Sequence, residues 1–162
     1  MSCFVRWLAM HDFAFETGSW SVVHRKLAQR LAGSDDWYEF EGTCRAWELM
    51  GGEGNVDDHE LADPRGAYRA ASLRRYDEAA KRWSIWWWDS RAAAIGPPVH
   101  GSFVDGVGTF FGDDEHDGKP VLVRYLWSEI TSRSARWEQA FSPDGGVTWE
   151  TNWTMRFERR DG

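Results

Sequence analysis

Closely spaced turn residues divide this chain into ten short segments, each with the composition of a β-strand. The segments are rich in valine, threonine and aromatic residues, and each is bounded by glycine, aspartate, proline or serine. Short strands in unbroken succession, without the helices that connect parallel strands, indicate an antiparallel sandwich or barrel. The predicted strands are residues 19–28, 36–48, 54–61, 66–76, 82–89, 99–104, 107–113, 120–130, 134–142 and 147–159.

The turns and the alternation of side chains favour a barrel in which each strand pairs with the next. Asp117-Gly118 joins two strand segments as a two-residue hairpin turn does. In the last strand, polar residues alternate with an apolar face, as in a half-buried antiparallel strand. Closing the sheet removes exposed strand edges, and a barrel of this size can hold one small ligand. We therefore predict an all-β fold, an antiparallel up-and-down barrel of about ten strands. The apolar face of its last strand carries Val147, Trp149, Thr151, Trp153, Met155 and Phe157.

Helical signals are confined to two short stretches. We predict a short N-terminal helix at about residues 3–10, before the first strand. A second helix is possible at 90–95, where Pro97 and Pro98 would end it. No linker-like stretch or internal repeat divides the sequence, and 162 residues are an ordinary size for one domain. We predict a single domain spanning residues 1–162.

The charge balance limits the classes of partner. The sequence has 19 basic and 26 acidic residues, a formal net charge of −7, and no block of basic residues. We therefore expect neither nucleic acid nor an anionic membrane as a partner. No apolar run approaches the ~20 residues of a membrane-spanning helix, and the first ten residues lack the features of a signal peptide. With Cys3 and Cys44 as its two cysteines, we predict a cytoplasmic protein whose thiols are reduced.

The motif Gly18-Ser19-Trp20, which follows a short N-terminal segment, resembles the start of lipocalins and related calycin barrels. In those barrels the tryptophan plugs the closed end, and a basic residue of the last strand packs across it. The resemblance therefore implies a partner for Trp20 in the last strand. Arg159 is an even number of residues from Trp153, so the two side chains share a face of the strand, and Arg159 is preferred to Arg156 for this reason. We predict that Trp20 and Arg159 are structural residues of the closed barrel end.

A wider resemblance covers nearly the whole chain. It is similar to an uncharacterised bacterial family of lipocalin-like, calycin-type barrels that is described only as a domain of unknown function. The resemblance implies the barrel fold and supplies no catalytic residues. The residues that carry it are the stretches His11-Asp12-Phe13, His24-Arg25-Lys26-Leu27, Gly54-Asn55-Val56-Asp57-Asp58, Trp83-Ser84-Ile85-Trp86-Trp87 and Arg136-Trp137-Glu138-Gln139-Ala140-Phe141.

One hairpin matches a motif from another architecture. The pattern that runs from Ser142 through Asp144, Gly146 and Thr148 to Trp149 resembles the Asp-box of sialidase propellers, where it is a structural hairpin. It occurs once here, in a chain too short for a propeller of usual size. We predict a hairpin in which the Asp144 carboxylate accepts backbone N–H groups while Trp149 packs beneath it.

His24 is the first candidate for chemistry. It shares a strand face with Trp20 and Val22, so it points into the barrel if Trp20 does. An interior histidine can bind a metal or haem or act as an acid or base, and it can also be a core residue that is hydrogen-bonded to a neighbouring strand.

A polar cluster around the third strand is the second candidate. Asn55 and Asp57 share one strand face, and with His24 they would line a barrel mouth, although such residues after glycine are also common in turns. Asp58 and His59 stand beside them. No second histidine lies at a recognised ligand spacing, so we predict no metal site.

Further strands complete the predicted ligand site. The sequence favours an outer-wall ladder of Arg124, Arg136 and Glu138, and the alternative is an interior Arg124 that holds a ligand carboxylate. Arg124 is included in the predicted ligand-binding set on that alternative. One of Glu138 and Gln139 faces inward. The predicted ligand-binding residues are His24, Tyr38, Phe40, Asn55, Asp57, Trp87, Arg124, Gln139 and Trp153.

Tryptophans occupy both faces of strand 82–89. Trp83 and Trp87 share one face, and Trp86 and Trp88 share the other. An antiparallel barrel does not leave such an outer face in water, so the N-terminal helix or another subunit would cover it. This pattern predicts a homodimer.

These residues together predict a protein that binds a small hydrophobic or aromatic molecule inside a β-barrel. The alternatives are an isomerase, cyclase or hydratase with a His24–Asp57 pair, a haem-binding barrel with His24 or His100 as axial ligand, and a filled structural barrel. No motif in the sequence identifies a cofactor or decides whether a reaction is catalysed.

Overall fold

The computed structural model describes residues 9–161, which form a closed antiparallel barrel of ten strands. Each strand pairs with the next along the chain, and β1 pairs with β10 to close the sheet. All ten predicted strands are confirmed, and their ends lie within three residues of the predicted ones. The strands are β1 (Gly18–Leu27), β2 (Trp37–Leu49), β3 (Gly54–Leu61), β4 (Tyr68–Asp77), β5 (Arg82–Asp89), β6 (Val99–Val104), β7 (Val107–His116), β8 (Lys119–Ser128), β9 (Ser134–Ser142) and β10 (Glu150–Arg159).

The hairpin turns follow the chemistry of their residues. Asp117 and Gly118 both have positive φ, of 50° and 73°, as a two-residue turn between twisted strands requires. The Asp-box hairpin is also confirmed. The Asp144 carboxylate accepts hydrogen bonds from the backbone N–H groups of Val147 and Thr148, and Trp149 Nε1 donates to the Gly146 carbonyl.

The helices differ from the predictions. Of the predicted helix at 3–10, only the last two residues fall within the described part of the chain. The helix considered at 90–95 is wrong, because that segment forms turns and bends. Asp89 accepts bonds from the backbone N–H and guanidinium of Arg91, which holds a tight turn. The described residues also contain two 3-10 helices, Ala14–Glu16 and Met50–Gly52. None of the helices among residues 9–161 is long and apolar enough to cross a membrane.

One end of the barrel is plugged by the segment that precedes β1. Phe13 is buried there and meets the rings of Trp83 and Phe103 edge-on, at centroid distances of 5.0 Å each. Trp20 is fully buried, and its Nε1 donates to the Glu16 carbonyl at 2.6 Å. This end therefore matches the closed end that the lipocalin resemblance implied.

Large side chains fill most of the barrel interior. In β10, Trp153, Met155 and Phe157 are buried as predicted and Arg156 is exposed. The predicted alternation is wrong further back, because Val147 lies before the strand and is exposed, and Asn152, at a register shift between Thr151 and Trp153, is buried. A cavity in the middle of the described barrel has a volume of about 20 Å³, which is room for about one water molecule. The opposite end, which we call the mouth, is open and is bordered by the β1–β2, β3–β4 and β5–β6 loops and the β7–β8 turn.

Candidate functional site

A buried lysine marks the mouth. Lys26 is next to the last residue of β1, at the mouth, and its side chain faces the interior and is 5% exposed. Its Nζ donates to Tyr68 Oη at 2.7 Å and to Asp63 Oδ2 at 3.1 Å. The same ammonium lies 4.3 Å from the Trp153 ring centroid and 5.1 Å from that of Phe40. A cation is thus held at a fixed position among aromatic rings.

Three arginines surround Lys26, each over an aromatic ring. The guanidinium of Arg65 lies 4.4 Å from the Tyr38 ring, and that of Arg91 lies 3.5 Å from the Tyr68 ring. Both have other partners, since Arg65 donates to a backbone carbonyl and Arg91 pairs with a carboxylate of the β5 end. The third, Arg30, is half-buried and lies 5.4 Å from the Phe141 ring.

Among residues 9–161, neither the Arg30 nor the Arg65 guanidinium has a carboxylate within ion-pair distance. Arg30 differs from Arg65 in having no hydrogen-bond acceptor for its guanidinium within this described range and in being half-buried, whereas Arg65 is exposed. Burial lowers the pKa of Arg30, although the phenol groups of Tyr38 and Tyr68 and the Asp114 carboxylate act in the opposite direction. An arginine remains charged in proteins in any case. Arg30 is therefore a partly desolvated cation at the mouth without a counter-ion among these residues.

The mouth encloses a cavity of about 570 Å³, lined by Lys26, Arg30, Tyr38, Asp63, Arg65 and Arg91 among others. This volume is within the range of small-molecule sites. Burial lowers the pKa of Lys26 to about 8, and the hydrogen bond to Asp63 limits the shift. Burial acts to raise the pKa of Asp63, but the Arg65 N–H and the Lys26 ammonium hold it below its ordinary value.

A second polar cluster lies near the plugged end and is centred on Arg74. The guanidinium of this buried arginine pairs with Glu16 Oε2 and with Asp57 Oδ2, both at 2.6 Å. It also donates to Asn55 Oδ1 at 2.9 Å. Asp57 Oδ1 accepts the Ser72 N–H at 2.6 Å. The 3-10 helix that carries Glu16 is thus tied to β3 and β4.

The pKa values of the two carboxylates of this cluster, Glu16 and Asp57, are shifted in opposite directions. Burial raises the pKa of Glu16 to about 8, despite the nearby Arg74. Burial also acts to raise the pKa of Asp57, but the charge of Arg74 and the imidazole of His59 hold it well below its ordinary value. Asp57 is therefore the ionised partner of Arg74, and Glu16 is the group that titrates near neutral pH.

His24 points into the barrel, where it is fully buried. Its ring stacks on Phe40 at 4.8 Å, and Trp153 Nε1 donates to its Nδ1 at 3.3 Å. Burial, with the nearby His59 and Lys26, lowers its pKa to about 3, so the ring is neutral. Its Nε2 has no hydrogen-bond partner among the described residues.

The structure brings most of the predicted ligand-binding residues into the interior. Tyr38 reaches the mouth, and Gln139 donates to Asn152 Oδ1 at 2.9 Å. Arg124 is a correction, because it lies on the outer wall over Trp149, at 4.8 Å from the ring. Both faces of β8 are apolar around it, which left its direction undetermined from the sequence. The predicted residues that are buried inside are His24, Phe40, Asn55, Asp57, Gln139 and Trp153, and Trp87 is partly buried beside them.

The enzyme hypothesis required a contact between Asp57 and His24, and the structure does not show one. The imidazole that Asp57 contacts is that of His59, whose Nε2 lies 3.2 Å from Asp57 Oδ1. His100 bonds to Ser84 Oγ at 2.8 Å. One ring nitrogen of His100 is thereby occupied, and His24 is fully buried against Phe40.

Sequence reasoning missed four functional candidates. His59 lies on the same strand face as Asp57, and Lys26 lies on the same strand face as Trp20. Alternation alone therefore places His59 and Lys26 inside the barrel. Nothing local in the sequence indicates that Arg30, in a loop, or Arg74, on a charged strand, turns inward.

Comparisons with known proteins bear on the fold. No protein-family model matches this sequence, and no curated protein matches it. Among solved structures, the barrel is similar to the S-type phycobiliprotein lyase from Guillardia theta, with 13% sequence identity and a TM-score of 0.60. The similarity covers 95% of this chain and 94% of that one. The chain thus shares the fold of that structure, and in this chain the fold is a closed antiparallel barrel of ten strands.

Proposed function

We propose that this protein binds a planar, conjugated small molecule that carries carboxylates, of the tetrapyrrole type, in the cavity at the barrel mouth. The observation that carries the proposal is Arg30, a half-buried cation that has no carboxylate partner among the described residues. Arginine binds carboxylates through a planar pair of donors, so an anionic ligand is the group that suits this position.

The mouth cavity offers a flat ligand both apolar and charged contacts. The Tyr38 ring and the side chains of Leu27, Ala28 and Ala32 line it and can contact the conjugated body of such a ligand, while the charged groups set its orientation. The rings of Phe40, Tyr68 and Trp153 surround the Lys26 ammonium from the buried side and do not line the cavity. Lys26 and Arg30 are the two cations that we assign to the ligand carboxylates.

The ligand lies at the mouth and not in the deep interior. The central cavity of about 20 Å³ has no room for an organic molecule, whereas the mouth cavity has about 570 Å³. The solved structure with a similar barrel is named a phycobiliprotein lyase, a class that handles linear tetrapyrroles. That similarity supports the ligand class and supplies no evidence for a reaction.

Titration with biliverdin, a free linear tetrapyrrole with propionate carboxylates, tests the proposal. We expect saturable binding, followed by the absorbance of the pigment and by quenching of tryptophan fluorescence. Masking the carboxylates as the dimethyl ester is expected to weaken binding. Arg30→Gln is expected to weaken biliverdin binding about tenfold or more, since a charge-assisted hydrogen bond is worth ~1.5–3 kcal/mol.

Arg124→Gln is the matched control, because Arg124 also lies over an aromatic ring but on the outer wall. Its affinity for biliverdin is expected to equal that of the wild type. The proposal fails if biliverdin does not saturate, or if Arg124→Gln weakens binding as much as Arg30→Gln does.

We further propose that a second copy of the chain covers the outer face of β2 to β5. Trp47, Val56, Leu73 and Trp86 form a row across these strands, and Trp88 beside them is 57% exposed. Gel filtration with light scattering is expected to show a dimer at micromolar concentration. We expect Trp88→Gln to weaken the dimer, while Val104→Gln, at an exposed site elsewhere, leaves it unchanged. A monomer at that concentration contradicts the proposal.

A further inference from the structure

We propose that Cys44, Asp57 and His59 form a binding site for one divalent transition-metal ion of the zinc class, inside the barrel and apart from the mouth. Their sulfur, oxygen and nitrogen atoms all lie within 4.8 Å of one another. All three residues are buried, with exposed fractions of 2%, 0% and 2%. Three different metal-binding groups therefore converge on one point in a nearly dry interior.

The strand register brings these groups together. Cys44 on β2 is the direct cross-strand partner of His59 on β3, and side chains in such pairs are close neighbours. Asp57 precedes His59 by two residues, so both project from the same face of β3. The three ligands thus come from two rigid neighbouring strands and not from a loop.

The donor set favours zinc over harder cations. A thiolate and an imidazole bind Zn²⁺ and similar ions, whereas Mg²⁺ and Ca²⁺ prefer oxygen ligands throughout. Ligands around a tetrahedral zinc ion, with bonds of about 2.0–2.3 Å, lie roughly 3.5 Å apart. Asp57 and His59 are already at about this separation, at 3.2 Å, and the remaining ligand separations, all within 4.8 Å, need to shorten by about 1 Å at most.

A bound ion must supply part of the charge balance of this site. Burial raises the pKa of the Cys44 thiol, so the metal has to displace the thiol proton on binding. The resulting thiolate and the Asp57 carboxylate carry two negative charges, of which the Arg74 guanidinium offsets one. Arg74 and the Ser72 N–H also hold the Asp57 carboxylate in place, as outer partners of metal ligands do.

The orientation of the His59 ring places Nε2 toward the site. This nitrogen lies 3.2 Å from Asp57 Oδ1, while Nδ1 is buried and has no hydrogen-bond partner among residues 9–161. A histidine that binds a metal through one nitrogen donates its other N–H to an acceptor, which can be a water molecule. The central cavity of about 20 Å³, which His59 lines, has room for that water.

A cobalt titration of the full chain carrying Cys3→Ser tests the site, because Cys44 is then the remaining thiol. We expect a cobalt–thiolate charge-transfer band that saturates at one cobalt per chain and disappears when Zn²⁺ is added in excess. Mg²⁺ is expected to leave the band unchanged. His59→Gln is expected to weaken cobalt binding at least tenfold.

His116→Gln is the control for this histidine, since His116 lies at the β7–β8 turn with its Nε2 3.5 Å from Asp117 Oδ2. It is expected to leave the band unchanged. Cobalt absorbance without a thiolate band overturns the proposal, as does a band that His59→Gln leaves at full affinity. The titration contains no tetrapyrrole, so its outcome is independent of the function proposed for the mouth.

Discussion

The guanidinium of Arg159 lies 4.1 Å from the centre of the Trp20 ring, across the seam where the last strand meets the first. The two residues are direct partners in the β1–β10 register. The same guanidinium donates to the carbonyls of Phe15, Thr17 and Ser132. One side chain therefore joins the plug, the first strand and the loop before β9.

Loss of this arginine is expected to destabilise the barrel. Arg159→Ala removes three charge-assisted hydrogen bonds and the contact with Trp20, and we expect a loss of about 2 kcal/mol in the free energy of unfolding. Urea denaturation followed by tryptophan fluorescence measures it. Arg156→Ala, on the same strand with an exposed side chain, is expected to change stability by less than about 0.5 kcal/mol. Equal effects of the two substitutions would contradict this role for Arg159.

Stability is expected to fall as pH rises from about 6.5 to about 8, because of Glu16. At lower pH the buried His24, whose pKa is lowered to about 3, acts in the opposite direction. The Glu16 carboxyl has a folded-state pKa raised to about 8, so in this range the folded chain holds a proton that the unfolded chain has already released. The stabilising effect is complete below the unfolded pKa and is lost as pH passes 8. Asp57, with its lowered pKa, acts only at more acidic pH.

The measurement is a series of urea unfolding curves across this pH range, in the presence of a chelator. Glu16→Gln is expected to flatten the pH dependence, and Glu158→Gln, an exposed carboxylate on β10, is expected to keep the wild-type slope. If the free energy of unfolding of Glu16→Gln still falls with pH as that of the wild type does, another group causes the effect.

Ligand affinity at the mouth is expected to weaken as pH rises through about 8. Burial lowers the pKa of Lys26 to that value, so the ammonium that faces the ligand carboxylate loses its proton there. Biliverdin titrations between pH 7 and pH 9.5 measure the effect. Lys26→Gln is expected to bind biliverdin more weakly at pH 7 and to lose the pH dependence of the affinity. If the affinity of this variant changes with pH as that of the wild type does, Lys26 is not the group that titrates.

A methyl group at Gly42 is expected to disrupt the inner wall. A Cβ there would lie 2.6 Å from the Glu60 carbonyl oxygen and 2.7 Å from His24 Nε2, so strands or rings must shift. We expect Gly42→Ala to cost about 1–3 kcal/mol in unfolding free energy. Gly96→Ala, where no atom lies within 4 Å, is the control and is expected to be nearly neutral. Thermal unfolding of both variants separates the two outcomes.

The strands could be predicted because their signals are local. In β10 the apolar residues alternate along the chain itself, and the turn at Asp117 and Gly118 needs only its own two residues. The same alternation placed His24 inside correctly. It failed at Arg124, where both faces of the strand are apolar and the parity gives no direction.

The polar sites could not be predicted in the same way, because they depend on contacts between distant residues. Lys26 meets Asp63 across 37 positions, and Arg74 meets Glu16 across 58. A charged residue on a strand is ordinarily solvated, so no sequence signal favours its burial until the partner is known. The pairing of Asp57 with His59 could have been predicted from the sequence, since both side chains lie on one face of β3.

The closed strand order has a consequence for folding. Nine of the neighbouring strand pairs join consecutive strands and can form as hairpins, whereas the β1–β10 pair joins strands from opposite ends of the described chain. That pair has the largest loop-closure entropy, so we expect it to form late. Until it forms, β1 and β10 each present an unpaired edge on which another chain can add a strand. The last step of folding is thus the step that protects the protein from aggregation.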